Sequence, residues 1–356
     1  MSSFPVCFST QDAPVRSGIA LSHLDTKTGA LTSPQLIAQT PDPSFIAVQR
    51  DVRNLYICNS QTPGGLSAFA IHDAAALSFL NFRQSAGRGP SHVALDRTGR
   101  FVLNANYGGG YIEVYATLTD GRLGERTAFV QHTGSSAHPQ RQASAHAHWF
   151  GTTPDNRFAL ATDLGTDRIH VYRFDERGGT LEPHEPAFIS TTPGSGPRHI
   201  AWHPDGAHFY LIEELANAIT LYAWHADSGT TAPLQTMGTL PDDFRGENTA
   251  AEIVVHPDGR FLYASNRGHD SIALVALDGD GRMKLRSHTA SRGKTPRYFA
   301  LSPDGRWLLA TNQASDCVVV FAVNGVDGTL TPTGEPIGLP RPGAVVFLTA
   351  GNNLHG

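Results

Sequence analysis

The chain has 356 residues, 40% of them hydrophobic and 17% charged, which is the composition of a globular protein. With 27 basic and 32 acidic residues its net charge is -5, and the absence of any Lys/Arg run excludes an extended nucleic-acid footprint. The longest apolar run, Cys317 to Val323, falls far short of the ~20 residues a spanning helix needs, so no membrane partner is expected.

From its start, MSSFPVCFSTQ lacks a basic region followed by an apolar core, so no signal peptide is expected and the cytoplasm is the expected compartment. Cys7, Cys58 and Cys317 lie in apolar, strand-like contexts. An odd number without paired spacing predicts buried thiols in a reducing compartment, not a disulfide frame or a zinc site. The segments VCFST and GIALSHLD then have the alternating pattern of strands.

A hairpin signature begins at Pro43 (PSFIAVQRDVRNLYICNS) and returns at Pro90, His148, Pro197, Ala251 and Pro296. Another alternating strand follows each later copy, as in IEVYA, RIHVYRF, AITLYAW, SIALVAL and CVVVFAV, and a weaker strand completes the unit. The turn residues are spaced about 46 to 57 residues apart, the period of four-stranded propeller blades. Pro342 to Thr349 starts a seventh copy that the N-terminal strands can complete. The 36 Gly and 23 Pro are spread evenly, as many short strands require. The prediction is a single all-β domain: a seven-bladed β-propeller closed by strands from both chain termini, with helix nearly absent. Six blades with a loose N-terminal hairpin is the weaker alternative, because it leaves the strands before Pro43 unpaired.

Aligning the copies on the turn separates scaffold from chemistry. Ser44, Ser91, His148, Arg198, Ala251 and Arg297 stand at the start of each innermost strand. Asn59, Asn106, Asp163, Glu213, Asn266 and Asn312 stand at the end of the next, and Ser60, Tyr107, Leu164, Glu214, Arg267 and Gln313 follow them. The Asn/Asp set suits strand corners, where such side chains bond to nearby backbone. The other two sets are heterogeneous, and antiparallel pairing brings both to one mouth of a central channel. His148, Arg198, Glu214, Arg267 and Arg297 should therefore converge. One arginine there could be an ordinary surface charge; three demand an anion or a carboxylate. His146 and His148 form an HxH pair expected on one strand face, with no third ligand at metal spacing, so no metal is expected. Gly108–Gly110 opens no helix and reads as a strand corner, not a phosphate loop. No Gly-x-Ser-x-Gly elbow is present.

At these residues the chain resembles the propeller lactonase family, which includes bacterial 6-phosphogluconolactonases and fungal carboxy-cis,cis-muconate cyclizing enzymes. The narrowest blocks are SAHAHWF, GSGPRHIAWHPDG with LIEELANAITLY, and AEIVVHPDGRFLYASNRGHDSI, and the likeness spans essentially the whole chain. It implies a seven-bladed propeller with no obligatory metal or other cofactor. It also implies a histidine, two arginines and a glutamate at the catalytic positions, which match His148, Arg198, Arg267 and Glu214. Two departures stand out: Glu213, where relatives usually carry Asn, and the N-terminal block CFSTQDAPVRSGIAL.

The expected activity is hydrolysis of a sugar-derived lactone, by resemblance 6-phosphoglucono-δ-lactone of the pentose phosphate pathway. Arg198 and Arg267 would bind anion and oxyanion, and Glu214 or His148 would activate water. Arg297, His146, Asn106 and Glu213 are further substrate-binding candidates. The rival readings are a lactonising muconate cycloisomerase, using the same arginines on carboxylates, and a propeller that binds ligands without catalysis. The sequence leaves the oligomeric state open.

Overall fold

The computed structural model describes residues 3–11, 17–87 and 89–350. Its strands form seven antiparallel sheets, six of four strands and one of five. Blade 1 runs outward from the axis through Pro43–Val48, Asn54–Asn59, Gly65–Ile71 and Leu77–Gln84. Blades 2 to 6 have innermost strands Pro90–Leu95, Ala147–Thr152, Pro197–Trp202, Thr249–Val255 and Pro296–Leu301. Each continues outward in sequence order. Blade 7 takes its innermost strand, Pro342–Phe347, from the end of the chain and its other three, Ser3–Thr10, Gly18–Asp25 and Gln35–Gln39, from the beginning. Val6, Cys7 and Phe8 face Phe347, Val346 and Val345 in that closing register. The only helices among the described residues are the 3-10 turns Asp73–Ala75 and Gln313–Ser315. Part of the divergent N-terminal block, residues 12–16, lies outside the described residues.

Two local features recur. The hairpin turns take a left-handed residue, with φ of +68° at Gly206 and +62° at Asn156; in blade 1 the β-branched Val52 occupies that position at +59°. In every blade the innermost pair also slips register near its channel-mouth end, between Pro43 and Phe45, Pro90 and His92, Ala147 and Trp149, Pro197 and His199, Ala250 and Ile253, and Pro296 and Tyr298. Blade 7 slips between Phe8 and Thr10, opposite Val345 and Pro342. A β-bulge turns the extra residue out of the ladder and leaves its backbone groups seeking other partners.

Neighbouring blades supply them. Ser44 Oγ donates to the Pro90 carbonyl at 3.0 Å, and Ser91 Oγ lies 3.2 Å from that of His148. Thr162 Oγ1 reaches the Arg198 carbonyl at 2.6 Å, Arg198 Nε the Ala251 carbonyl at 2.8 Å, and Thr311 Oγ1 the Gly343 carbonyl at 2.7 Å. Between the blades the alternating strands interdigitate as separate apolar clusters: Tyr210, Ile212, Leu262 and Val275 between blades 4 and 5, and Tyr263, Phe299 and Leu308 between 5 and 6. The largest joins blades 6, 7, 1 and 2 around Phe8, Leu55, Ile57 and Val345.

Closure at blade 7 therefore rests on apolar side chains contributed from both ends of the chain. Val345→Asp buries a carboxylate among them and should lower unfolding free energy by more than about 4 kcal/mol. Val326→Asp, at a residue 83% exposed, should change it by less than about 0.5 kcal/mol. Urea unfolding of the two variants beside the wild type measures the contrast.

Candidate active site

The bulge residues Ser44, Ser91, His148, Arg198 and Arg297, together with Ser60, Tyr107, Glu214 and Arg267 from the ends of the second strands, line a pocket of about 260 Å³ on the propeller axis. Chain order explains the meeting. Pro197 pairs with Glu213 across the blade 4 hairpin, so the bulged Arg198 and the following Glu214 emerge side by side.

Glu214 is the centre of the cluster and is almost fully buried. Its Oε2 accepts from Arg198 Nη1 at 2.5 Å and Arg267 Nη2 at 3.0 Å, and its Oε1 from Arg141 Nη2 at 2.5 Å. Burial alone would raise the carboxyl pKa, but Arg267, Arg198, His148 and Arg141 outweigh it and hold the group well below the usual carboxylate range. His148 Nε2 lies 2.5 Å from Arg198 Nη1, an N–H donor, so the imidazole accepts there. Burial, Arg198 and His199 push the His148 pKa well below its ordinary value, against the pull of Glu214. The ring is uncharged at neutral pH.

Arg267 is pinned by the carbonyls of Thr249 and Ala250, at 3.3 and 2.9 Å. Burial lowers its pKa to about 10, with Glu214 opposing and Arg198 adding to the drop. Arg297 is brought down to about 9 by burial and by repulsion from Arg198 and Arg267. Both remain protonated at neutral pH. The pocket thus holds four cations, Arg141, Arg198, Arg267 and Arg297, against the single anion Glu214. Arg297 makes no hydrogen bond to another described residue. An arrangement of this kind is completed by a ligand carrying negative charge.

The three other binding candidates sit elsewhere. Asn106 is buried at the blade 2 corner, where its Oδ1 accepts the Gly109 amide at 2.8 Å. Glu213 points to the opposite side of its strand from Glu214, as strand alternation requires, and accepts from Thr220 Oγ1 at 3.2 Å. Burial raises its pKa and Asp167 adds to the rise; its side chain is not part of the arginine-lined pocket. His146 does not share a strand face with His148, because it precedes the strand and the chain bulges between them. It stacks on Tyr107 with ring centroids 4.4 Å apart and bonds the Tyr107 carbonyl through Nδ1, outside the pocket lining.

Two parts of the site were not anticipated. Arg141 comes from the connection 132–146, which lies outside the repeat and is longer than the other blade-to-blade connections; that length was the available signal. Beneath the pocket, the residue after each bulge points down the channel: Phe45, His92, Trp149, His199, Glu252 and Tyr298 form a buried floor. Phe45 packs against His92, Tyr298 and His199 with centroids 4.5, 5.1 and 5.9 Å apart, and His199 lies 5.0 Å below His148. His199 Nδ1 bonds Glu252 at 3.0 Å. Burial and Arg198 keep His199 uncharged, so its N–H is the donor.

Fold and pocket together define a β-propeller of the enzyme type, with proton-transfer and electrophilic groups gathered on its axis. The chain belongs to the lactonase family of seven-bladed β-propellers, whose description, "Lactonase, 7-bladed beta-propeller", matches residues 6–347. It is 34% identical over 334 residues to a 6-phosphogluconolactonase of Bacillus subtilis, covering 93% of this chain and 94% of that protein. Among solved structures, a periplasmic gluconolactonase of Pseudomonas aeruginosa superposes with a TM-score of 0.93 at 30% identity, covering 98% of this chain and all of the other. A Lactobacillus plantarum protein gives 0.92 at 32% identity, with the same coverage.

Glu214 neutralises cations that have lost their water, so its charge should matter to folding. Glu214→Gln is expected to cost about 3–5 kcal/mol at pH 7. A depressed carboxyl pKa stabilises the fold above the unfolded value of about 4.3 and loses that contribution as pH falls toward the folded value. The gap between wild type and variant should therefore shrink below about pH 4. Denaturation curves at pH 7 and in the acid range check both parts.

Proposed function

We propose that the protein hydrolyses a phosphorylated sugar lactone, 6-phosphoglucono-δ-lactone, to its open-chain acid, a step of the pentose phosphate pathway. The observation that carries this reading is the surplus of cations in a pocket sized for a single sugar ring. Four guanidiniums against one carboxylate suit a substrate that brings a phosphate and develops an oxyanion during reaction. The Bacillus relative named 6-phosphogluconolactonase supports the same substrate. Phosphorylated sugars and the three buried free thiols both fit a cytoplasmic setting.

In this mechanism Arg198 Nη1 turns from His148 to the lactone carbonyl oxygen and stabilises the negative charge that forms there. The released His148 Nε2 accepts a proton from the attacking water. The tetrahedral intermediate collapses with cleavage of the bond between the carbonyl carbon and the ring oxygen, and His148 returns the proton to that oxygen. One water is consumed and one carboxylic acid is formed. Glu214 is the poorer base, because its two oxygens are committed to three arginines; its role is to hold Arg198 and Arg267 in place. Arg267 supports Arg198 at the reacting end, and Arg297 contributes to binding the remaining substrate anion.

Lactone opening faster than the spontaneous rate, followed with the phosphorylated and unphosphorylated lactones side by side, tests the proposal; a rate equal to the uncatalysed one overturns it. Arg198→Ala should lower kcat by about 10²–10³-fold. Arg198→Lys should not restore it, since Nε and Nη1 serve separate partners. The imidazole must be uncharged to act as base, and its pKa lies well below the ordinary value. With the unphosphorylated lactone, whose charge does not change in this range, the kcat/KM profile should therefore stay level as pH falls through about 6.5 and decline only at lower pH.

A further inference from the structure

The arginines that hold Glu214 are not equivalent. Arg198 and Arg267 are enclosed and tied by their guanidiniums to backbone carbonyls of blade 5. Arg141 has no such tie. Its side chain is 37% exposed, and among the described residues its guanidinium hydrogen-bonds Glu214 Oε1 and, at 3.4 Å, the hydroxyl of Tyr107. The backbone beneath it is well fixed. Gln142 is fully buried, donates through Nε2 to the Leu164 carbonyl at 2.8 Å and accepts the His138 amide at 2.8 Å. The Arg141 amide itself bonds His138 Nδ1 at 3.2 Å. A rigid stretch of chain thus presents one long, partly solvated cation on the outer side of the carboxylate.

Resting on the lactonase reading above, we propose that Arg141 is the residue that selects for a phosphorylated substrate. The enclosed arginines and His148 occupy the reacting end of the pocket, so the trailing end of a bound sugar ring lies toward solvent, beside Arg141. An entering phosphate dianion competes with Glu214 for this guanidinium and wins more easily here than at Arg198 or Arg267, whose backbone ties would break. Glu214 keeps two arginine partners after the exchange, so no buried charge is left bare. Arg141 and the unbonded Arg297 then hold the phosphate between them. The preference for phosphate is built on a connection outside the repeated fold, while the hydrolytic groups belong to the blades.

The test compares wild type, Arg141→Ala and Arg141→Lys on 6-phosphoglucono-δ-lactone and glucono-δ-lactone. Arg141→Ala is expected to raise KM for the phosphorylated lactone tenfold or more. The ratio of the two kcat/KM values should fall by a similar factor. Arg141→Lys should keep part of the preference, having the charge without the planar fork. A merely structural role would depress both substrates together and leave the ratio untouched, which overturns the inference. Inorganic phosphate gives a readout free of turnover: it should raise the melting temperature of the wild type more than that of either variant. Equal shifts would also overturn it. A wild type that opens both lactones equally well removes phosphate selection but leaves the lactonase reading standing. A wild type that opens neither defeats that reading itself.

Discussion

The site depends on one backbone irregularity repeated around a ring. A regular strand at the axis would send alternate side chains into the two neighbouring blade interfaces and leave the channel lined by backbone. The bulge at the start of each innermost strand breaks that alternation, so Ser44, Ser91, His148, Arg198 and Arg297 project toward the axis and the next residue points down it. The same distortion strips carbonyls of ladder partners. Hydroxyls of Ser44, Ser91, Thr162 and Thr311, and the Nε of Arg198, satisfy them from the adjacent blade. What would be a cost in one sheet becomes the fastening between two. Arg198 takes part in both tasks, tying blade 4 to blade 5 with one nitrogen and lining the pocket with another.

Electrostatics then decides what this geometry is fit for. Burying Arg198 and Arg267 is tolerable only because Glu214 lies between them, and burying Glu214 only because they lie around it. The carboxylate cannot neutralise all four guanidiniums, so the pocket retains net positive charge next to an imidazole kept neutral by burial and by those same cations. In the proposed mechanism that combination separates roles that free amino acids would confuse: arginines take charge, His148 takes a proton, and Glu214 takes neither and keeps the arginines in place.

Repeat phase made the architecture and the heart of the site legible before any coordinates. The hairpin from Gly196 to Tyr222 placed Arg198 beside Glu214, and the equivalent positions of other blades added His148, Arg267 and Arg297. Adjacent residues were harder. Glu213 and Glu214 are chemically alike and differ only in which side of a strand they face, and the corner residues Glu213 and Asn106 are engaged in local hydrogen bonds, as the mostly Asn/Asp character of their set implied. His146 was grouped with His148 by assuming unbroken strand alternation, which the bulge defeats. Arg141 has no counterpart in other copies, so alignment of the repeats could not reveal it. The aromatic floor was invisible for the opposite reason: Phe45, Trp149 and Tyr298 look like ordinary core residues until the bulge directs them to the axis.

That floor has a consequence for turnover. With Phe45, His92, Trp149, His199 and Tyr298 packed ring against ring beneath it, the arginine-lined mouth is the way in to the pocket and the way out. Opening a neutral ester yields an acid that ionises at neutral pH, so the departing molecule is one unit more negative than the arriving one, in a pocket that favours anions. Release is then opposed by the very field that aided capture.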